Sequence, residues 1–199
     1  MVVSALQGLL RTVTLTVRRA LGLPAQLHTE DRRALEQVIL PEYARRTDIA
    51  RILFVGCAAY TQRYGELFGD REYWTIDPVE RRRRYGSRHH IVDQLQNLGR
   101  HARPDYFDLI ICNGVLGWGL DSPADANTAM AACMTHLRAG GDLILGWNDI
   151  APRNRVLPDD IPALRGFDRA QLQSARTTRL VIDAGNRHVF DFYRKPVNI

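Results

Sequence analysis

Five short apolar runs in the chain end on residues that can hold a polar ligand. Ile52-Leu53-Phe54-Val55 passes into Gly56, Cys57, Ala58, Ala59 and Tyr60. YWTID closes on Asp77, 21 positions after Gly56, and HHIVD closes on Asp93. FDLIICN ends at Asn113, followed by Gly114, and DLILGWND ends at Trp147, Asn148 and Asp149. Each type has a definite chemical use. One carboxylate offers two acceptor oxygens at the spread of two neighbouring hydroxyls, so Asp77 suits a ribose. Asp93 can hold the exocyclic amine of an adenine in the same way. Gly56 lets backbone approach a ligand closely, and the free N–H groups opening the next helix suit a carboxylate or phosphate.

The elements that must position these side chains alternate. Strand patterns fall at 51–55, 72–76, 89–92, 107–112, 141–146, 178–183 and 187–194. Helical patterns lie near 60–69, 78–85, 94–100 and 123–138. In the last, Met130, Cys133, Met134 and Leu137 recur at i, i+3, i+4, i+7, and Arg138-Ala139-Gly140-Gly141 reads as a stop. Such alternation implies βαβ units and a parallel sheet with right-handed crossovers. The end of the chain breaks that rhythm. Only a short turn around Gly185-Asn186 separates TTRLVIDAG from RHVFDFYRKP, so these two strands pair antiparallel. In open sheets of this kind, ligands lie beyond the carboxyl ends of the strands, where the polar residues above fall.

Residues 1–48 read as a helical N-terminal segment, a cap or lid, and 49–199 as the main domain. Leu6, Leu9, Leu10 and Val13 fall at helical spacing, and Leu35, Val38 and Ile39 form an apolar stripe that Pro41 breaks. The plain reading is a helix packed on the domain. A lid over a pocket, a membrane-surface contact and a dimer contact are the alternatives.

Composition narrows the classes. At 199 residues, 45% hydrophobic and 25% charged, the chain can bury a real core. No apolar run approaches the roughly 20 residues of a membrane span, and the N-terminus, interrupted by Arg11, makes a poor signal peptide. Cys57, Cys112 and Cys133 form no CxxC pair, which argues against a disulfide framework or a metal site and for a reducing cytoplasm. The net charge of +5 is modest. Arg81 to Arg84, with Arg88, read as a solvated face, and with little aromatic interleaving nucleic acid is not the expected partner.

Taken together, LFVGC, TIDP, IVDQL, FDLIICNGVLGWG and LRAGGDLILGWND resemble the class I S-adenosylmethionine-dependent methyltransferases over about residues 50–195. The RAGG element and the closing hairpin are the most specific parts. The resemblance implies a Rossmann-like three-layer α/β sandwich, with a mostly parallel seven-stranded sheet and a C-terminal antiparallel hairpin. It implies S-adenosylmethionine as cofactor. Gly56 and Ala58 would line its methionine part, Asp77 with Pro78 would bind the ribose, Asp93 with Gln94 would flank the adenine, and Asn113 with Gly114 would face the methionine amino end. The pattern departs from the family at three places. Phe54 stands where an acidic residue is usual, and Ala58 and Tyr60 stand where glycines are usual. Tyr60 either fills the methionine end of the pocket or packs over the ligand.

The implied reaction is methyl transfer to an oxygen or nitrogen of a small-molecule acceptor. Trp118, Trp147 and Asn148 are the candidate acceptor wall, and Asp149 is the candidate base, needed only where the acceptor must lose a proton. The Asn-Pro-Pro-aromatic motif of base-amine methylation is absent after the fourth strand. The alternatives are a non-catalytic methyltransferase-like binding or assembly domain and an RNA-directed methyltransferase. A cytoplasmic monomer or homodimer is expected.

Overall fold

The computed structural model describes residues 27–151 and 154–197, so the expectations for the first 26 residues lie outside the described residues. The described residues open with α1 (Glu30–Ala34), a π-helical turn (Leu35–Ile39) and α2 (Leu40–Arg45), which run on from one another. Pro41 does not break this helix as its sequence suggests. Proline cannot donate to the carbonyl of Gln37 and its ring crowds that group, and the chain absorbs this by widening the turn before it.

Among the described residues eight strands follow: β1 (Arg51–Val55), β2 (Glu72–Ile76), β3 (His89–Ile91), β4 (Phe107–Asn113), β5 (Leu137–Asn148), β6 (Asp168–Arg169), β7 (Arg179–Ile182) and β8 (His188–Arg194). The order β3-β2-β1-β4-β5-β8 is parallel as far as β5. β8 pairs antiparallel with β5 on one side, and with β6 and β7 on the other. The expected hairpin is therefore β7–β8. The sheet has one strand more than expected: β6 is two exposed residues, too short to carry a periodic pattern.

Side-chain alternation along each strand builds two cores, one on each face. Ile52, Phe54, Leu109, Ile111, Ile144, Phe190 and Phe192 pack with Leu35, Ile39, Leu40 and Tyr43 of the N-terminal helix. Leu53, Val55, Ile110, Cys112, Leu143 and Leu145 pack with Met130 and Cys133 of α3 (Pro123–His136). Burying each of the large side chains contributes about 1.5–3 kcal/mol. The N-terminal helix thus belongs to one of the two cores. α3 is started by Pro123 and by Ser122, whose Oγ accepts the Asp125 N–H at 3.1 Å.

The other three crossovers hold only 3-10 segments, Tyr64–Phe68, Glu80–Tyr85 and Leu95–Arg100. Glycines interrupt them. Gly65 lies against the Tyr73 ring, where a Cβ would come to 3.0 Å, and at Gly86 a Cβ would meet His90 Nδ1 at 2.3 Å. At the amino edge of the sheet, buried Asp142 pairs with Arg46 and Arg194, and Asp108 binds Arg138 and the Ala50 and Arg51 N–H groups.

Candidate functional site

The chain leaves β1 toward β2 and β3 on one side and returns through β4 and β5 on the other, so strand order reverses between β1 and β4. The loop after β1 sits at this switch point. Gly56 adopts φ +85, a left-handed conformation that favours glycine, and donates to the Ile76 carbonyl at 2.8 Å. Thr61 Oγ1 accepts the Ala58 N–H and donates to the Ala58 carbonyl, both at 3.0 Å, which closes the loop on itself.

Asp77 ends β2 and is only 1% exposed. Its Oδ2 accepts the Cys57 N–H at 2.8 Å and Arg82 Nη1 at 3.1 Å, and its Oδ1 accepts the Val79 N–H at 2.9 Å. The carboxylate therefore holds the first loop from the neighbouring strand. Phe54, where the resemblance leads one to expect an acidic residue, is packed in the core, and Asp77 accepts the loop's N–H. Pro78, beside it, is exposed.

Asp93 follows β3 and caps the next turn. It accepts the Gln94 N–H at 2.8 Å, Asn97 Nδ2 at 2.7 Å and His101 Nε2 at 2.9 Å. The His101 and Asn97 hydrogen bonds hold its carboxyl at about 2. Gln94 is exposed.

The third cluster joins three strands. Asn113 closes β4, with Gly146 of β5 as its register partner, and Asn148 of β5 pairs with His188 at the start of β8. His188 lies 2.9 Å from Asn113 Oδ1 through Nε2 and 2.7 Å from Asn148 Oδ1 through Nδ1. All three are buried, and Asn113 Nδ2 has no hydrogen-bond partner. Gly114 follows at φ +70, with nothing within 4 Å of where a Cβ would sit. Burial pushes the His188 imidazole down to about 4. Sequence reasoning missed His188; the one signal is that it opens the last strand, which antiparallel pairing carries to the carboxyl edge.

The remaining residues are placed as follows. Tyr60 is half-buried beneath the guanidinium of Arg32, 4.6 Å from its ring centroid, so the N-terminal helix covers the first loop. Arg32 is itself buried and reaches the Tyr64 hydroxyl at 3.4 Å. Trp118 is 58% exposed in the tight turn after β4, where its N–H donates to the Val115 carbonyl. Trp147 is buried and donates through Nε1 to Asp191 Oδ2 at 2.8 Å, inside one core. Asp149 lies 3.5 Å from Arg187 across the β5–β8 end. The structure brings Asn113, Gly114 and Asn148 together with His188, and the Gly56 loop together with Asp77. Cys57, Cys112 and Cys133 are free and buried, and burial pushes the Cys57 thiol up to about 12. A cavity of about 560 Å³ opens on the Tyr73 and Thr75 face of β2; Thr61 of the first loop lines it, and Gly56, Asp77, Asp93, Asn113 and His188 do not. No helix among the described residues is long and apolar enough to cross a membrane.

No family model matches the chain, and no curated protein sequence matches it. Solved structures do. The N-methyltransferase NodS from Bradyrhizobium japonicum WM9, in complex with S-adenosyl-L-homocysteine, superposes with a TM-score of 0.62 at 18% identity, over 83% of this chain and 87% of that one. A SAM-dependent methyltransferase from Archaeoglobus fulgidus gives 0.56 at 13% identity, over 82% of this chain and 94% of that one. TrmN from Thermus thermophilus gives 0.59 at 16% identity, over 80% of this chain and 47% of that one. The chain has the fold of the class I S-adenosylmethionine-dependent methyltransferases.

Proposed function

We propose that the protein transfers a methyl group from S-adenosylmethionine to an oxygen or nitrogen of a small-molecule acceptor. The observation that carries this reading is the gathering of the Gly56 loop, Asp77, Asp93 and Asn113 at one carboxyl edge of a methyltransferase fold, on either side of the strand-order switch.

The residues fit the cofactor. Gly114 leaves backbone open to a ligand, with nothing within 4 Å of where a Cβ would sit, and the unpartnered Asn113 Nδ2 marks a buried polar group that lacks its complement. Gly56, Ala58 and Asn113 with Gly114 would hold the methionine part, Asp77 with Pro78 the ribose, and Asp93 with Gln94 the adenine. Arg82, half exposed, is the partner of Asp77 that a ribose can displace without unpairing buried backbone. Tyr60, held by Arg32, walls the methionine end. When bound, the sulfonium supplies an already activated methyl group for in-line displacement. The protein's part is alignment of the acceptor and removal of its proton where it has one to lose. Trp118 and Asn148 would wall the acceptor, and Asp149 would take the proton. Trp147, buried on Asp191, would act on that wall from behind. In this reading the protein works in the cytoplasm, as a monomer or homodimer.

A second reading has one observation in its favour. Asp77 is filled by three donors of the protein itself, as in a domain that keeps the fold without the cofactor. Incubation with deuteriomethyl S-adenosylmethionine and a cell extract, fractionated into small molecules and RNA, separates the possibilities. Label in the small-molecule fraction is the expected result. Label in RNA alone would reverse the acceptor class, and no label in either would favour the non-catalytic domain.

A further inference from the structure

We propose that His188 is a positioning residue that turns the Asn113 amide so that its carbonyl oxygen, rather than its nitrogen, faces the carboxyl edge and receives a cationic amino group. This rests on the cofactor reading above and extends it to the amino-acid end of the ligand.

The geometry comes from three strands. Asn113 and His188 stand on β4 and β8, with β5 between them, and meet above Gly146. A Cβ on residue 146 would fall 1.8 Å from Asn113 Oδ1 and 2.9 Å from His188 Nε2, so only glycine leaves that passage open. Through it the imidazole touches Asn113 with Nε2, and with Nδ1 it touches Asn148.

An imidazole can satisfy two amide oxygens only with a proton on both nitrogens, that is, as a cation. His188 is poorly placed to be one. It is 3% exposed and packs edge-on against Phe190, with ring centroids 4.6 Å apart. Asp31 favours its charge and Arg32 opposes it, and desolvation outweighs both. The neutral ring has one N–H, so one ring nitrogen must accept. A half-turn of the Asn113 amide meets this need. Nδ2, otherwise buried without a partner, then donates to His188 Nε2, while His188 Nδ1–H donates to Asn148 Oδ1. Turning Asn148 instead would leave Asn113 Nδ2 unpaired, and a buried unpaired N–H is rarer than an under-used carbonyl.

After the turn, Asn113 Oδ1 occupies the buried position that lacked a partner. What it lacks there is a donor, and the methionine ammonium of the cofactor is one.

Two measurements test this. In ligand-free protein with ¹⁵N-labelled histidine, the His188 signal, assigned by its loss in His188→Gln, should show a protonated Nδ1 and a bare Nε2 at neutral pH. A proton on Nε2 overturns the proposal, with or without a cofactor. In calorimetry, wild type should bind S-adenosylhomocysteine more tightly than methylthioadenosine, which lacks the amino-acid portion. His188→Leu should cut that preference about tenfold while leaving methylthioadenosine unchanged, and His188→Gln, which can still donate or accept, should restore part of it. An unchanged preference in His188→Leu overturns the proposal. If wild type binds neither ligand, the cofactor reading fails, and so does the role given to the turned carbonyl; the tautomer then reports only how Asn113 lies.

Discussion

The Asp77 carboxylate accepts the backbone N–H of Cys57 at 2.8 Å, which joins the end of β2 to the loop that follows β1. One side chain thus holds the loop, and in the proposed reading it also takes the ribose. Asp77→Ala leaves the N–H groups of Cys57 and Val79 without their acceptor, and should cost about 1–3 kcal/mol of stability. For a chain of this size each kcal/mol lowers Tm by about 2–4 °C. Asp77→Asn keeps one acceptor and should lose less. Thermal unfolding of both variants checks this; an Asp77→Ala protein as stable as wild type would show that the loop is held by other means.

Arg32 and Tyr60 tie the N-terminal helix to the first loop, through a guanidinium over the ring at 4.6 Å. A double-mutant cycle with Arg32→Met and Tyr60→Leu should return a coupling of about 0.5–2 kcal/mol, the range of a partly desolvated cation–π contact. Additive effects of the two substitutions would mean that helix and loop are stabilised separately.

Stability should fall as pH is lowered from 6.5 toward about 4. In the folded chain His188 titrates near 4, against 6.5 for an ordinary imidazole, because burial disfavours its charged form. Across that window the unfolded chain binds a proton that the folded chain refuses, so acid favours unfolding, by about 3 kcal/mol over the full range. His90, lowered for the same reason, acts in the same direction. Asp48 and Asp93, held at about 2 by Arg46 and by His101 with Asn97 respectively, stabilise the fold above 3.8 and lose that contribution as pH falls toward 2. Denaturant unfolding of His188→Gln across pH 4 to 6.5 should show a flatter slope than wild type. Parallel slopes would remove His188 from the account of acid sensitivity.

Asp191 is fully buried and accepts from Arg169, Arg179 and Trp147 Nε1. Asp191→Ala should cost about 3–5 kcal/mol, as removing one partner from a buried ionic cluster does. A loss under about 1 kcal/mol, measured by urea unfolding, would mean that water or a rotated arginine replaces it.

The strands were legible in the sequence because burial on both faces requires uninterrupted apolar runs, and the closing hairpin because Gly185-Asn186 leaves no room for a crossover. β5 begins earlier than its apolar run, at Leu137, since Arg138 pairs with Asp108 and Gly140 bonds to the Lys195 carbonyl. The three short crossovers read as ordinary helices, but their glycines serve close packing against Tyr73 and His90, which no local pattern reveals. Residue types at the strand ends singled out Asp77, Asp93 and Asn113 as candidates. Their partners did not follow from sequence. That Asp77 turns inward to Cys57 depends on parallel register, and that His188 reaches Asn113 depends on β8 returning antiparallel beside β5.

The central claim is a cofactor site at the carboxyl edge between β1 and β4. Its most direct test is calorimetric titration of wild-type protein with S-adenosylhomocysteine. The account predicts saturable one-site binding with a Kd of about 1–100 μM, weakened in Asp77→Ala. No heat and no change in Tm at millimolar ligand would contradict it.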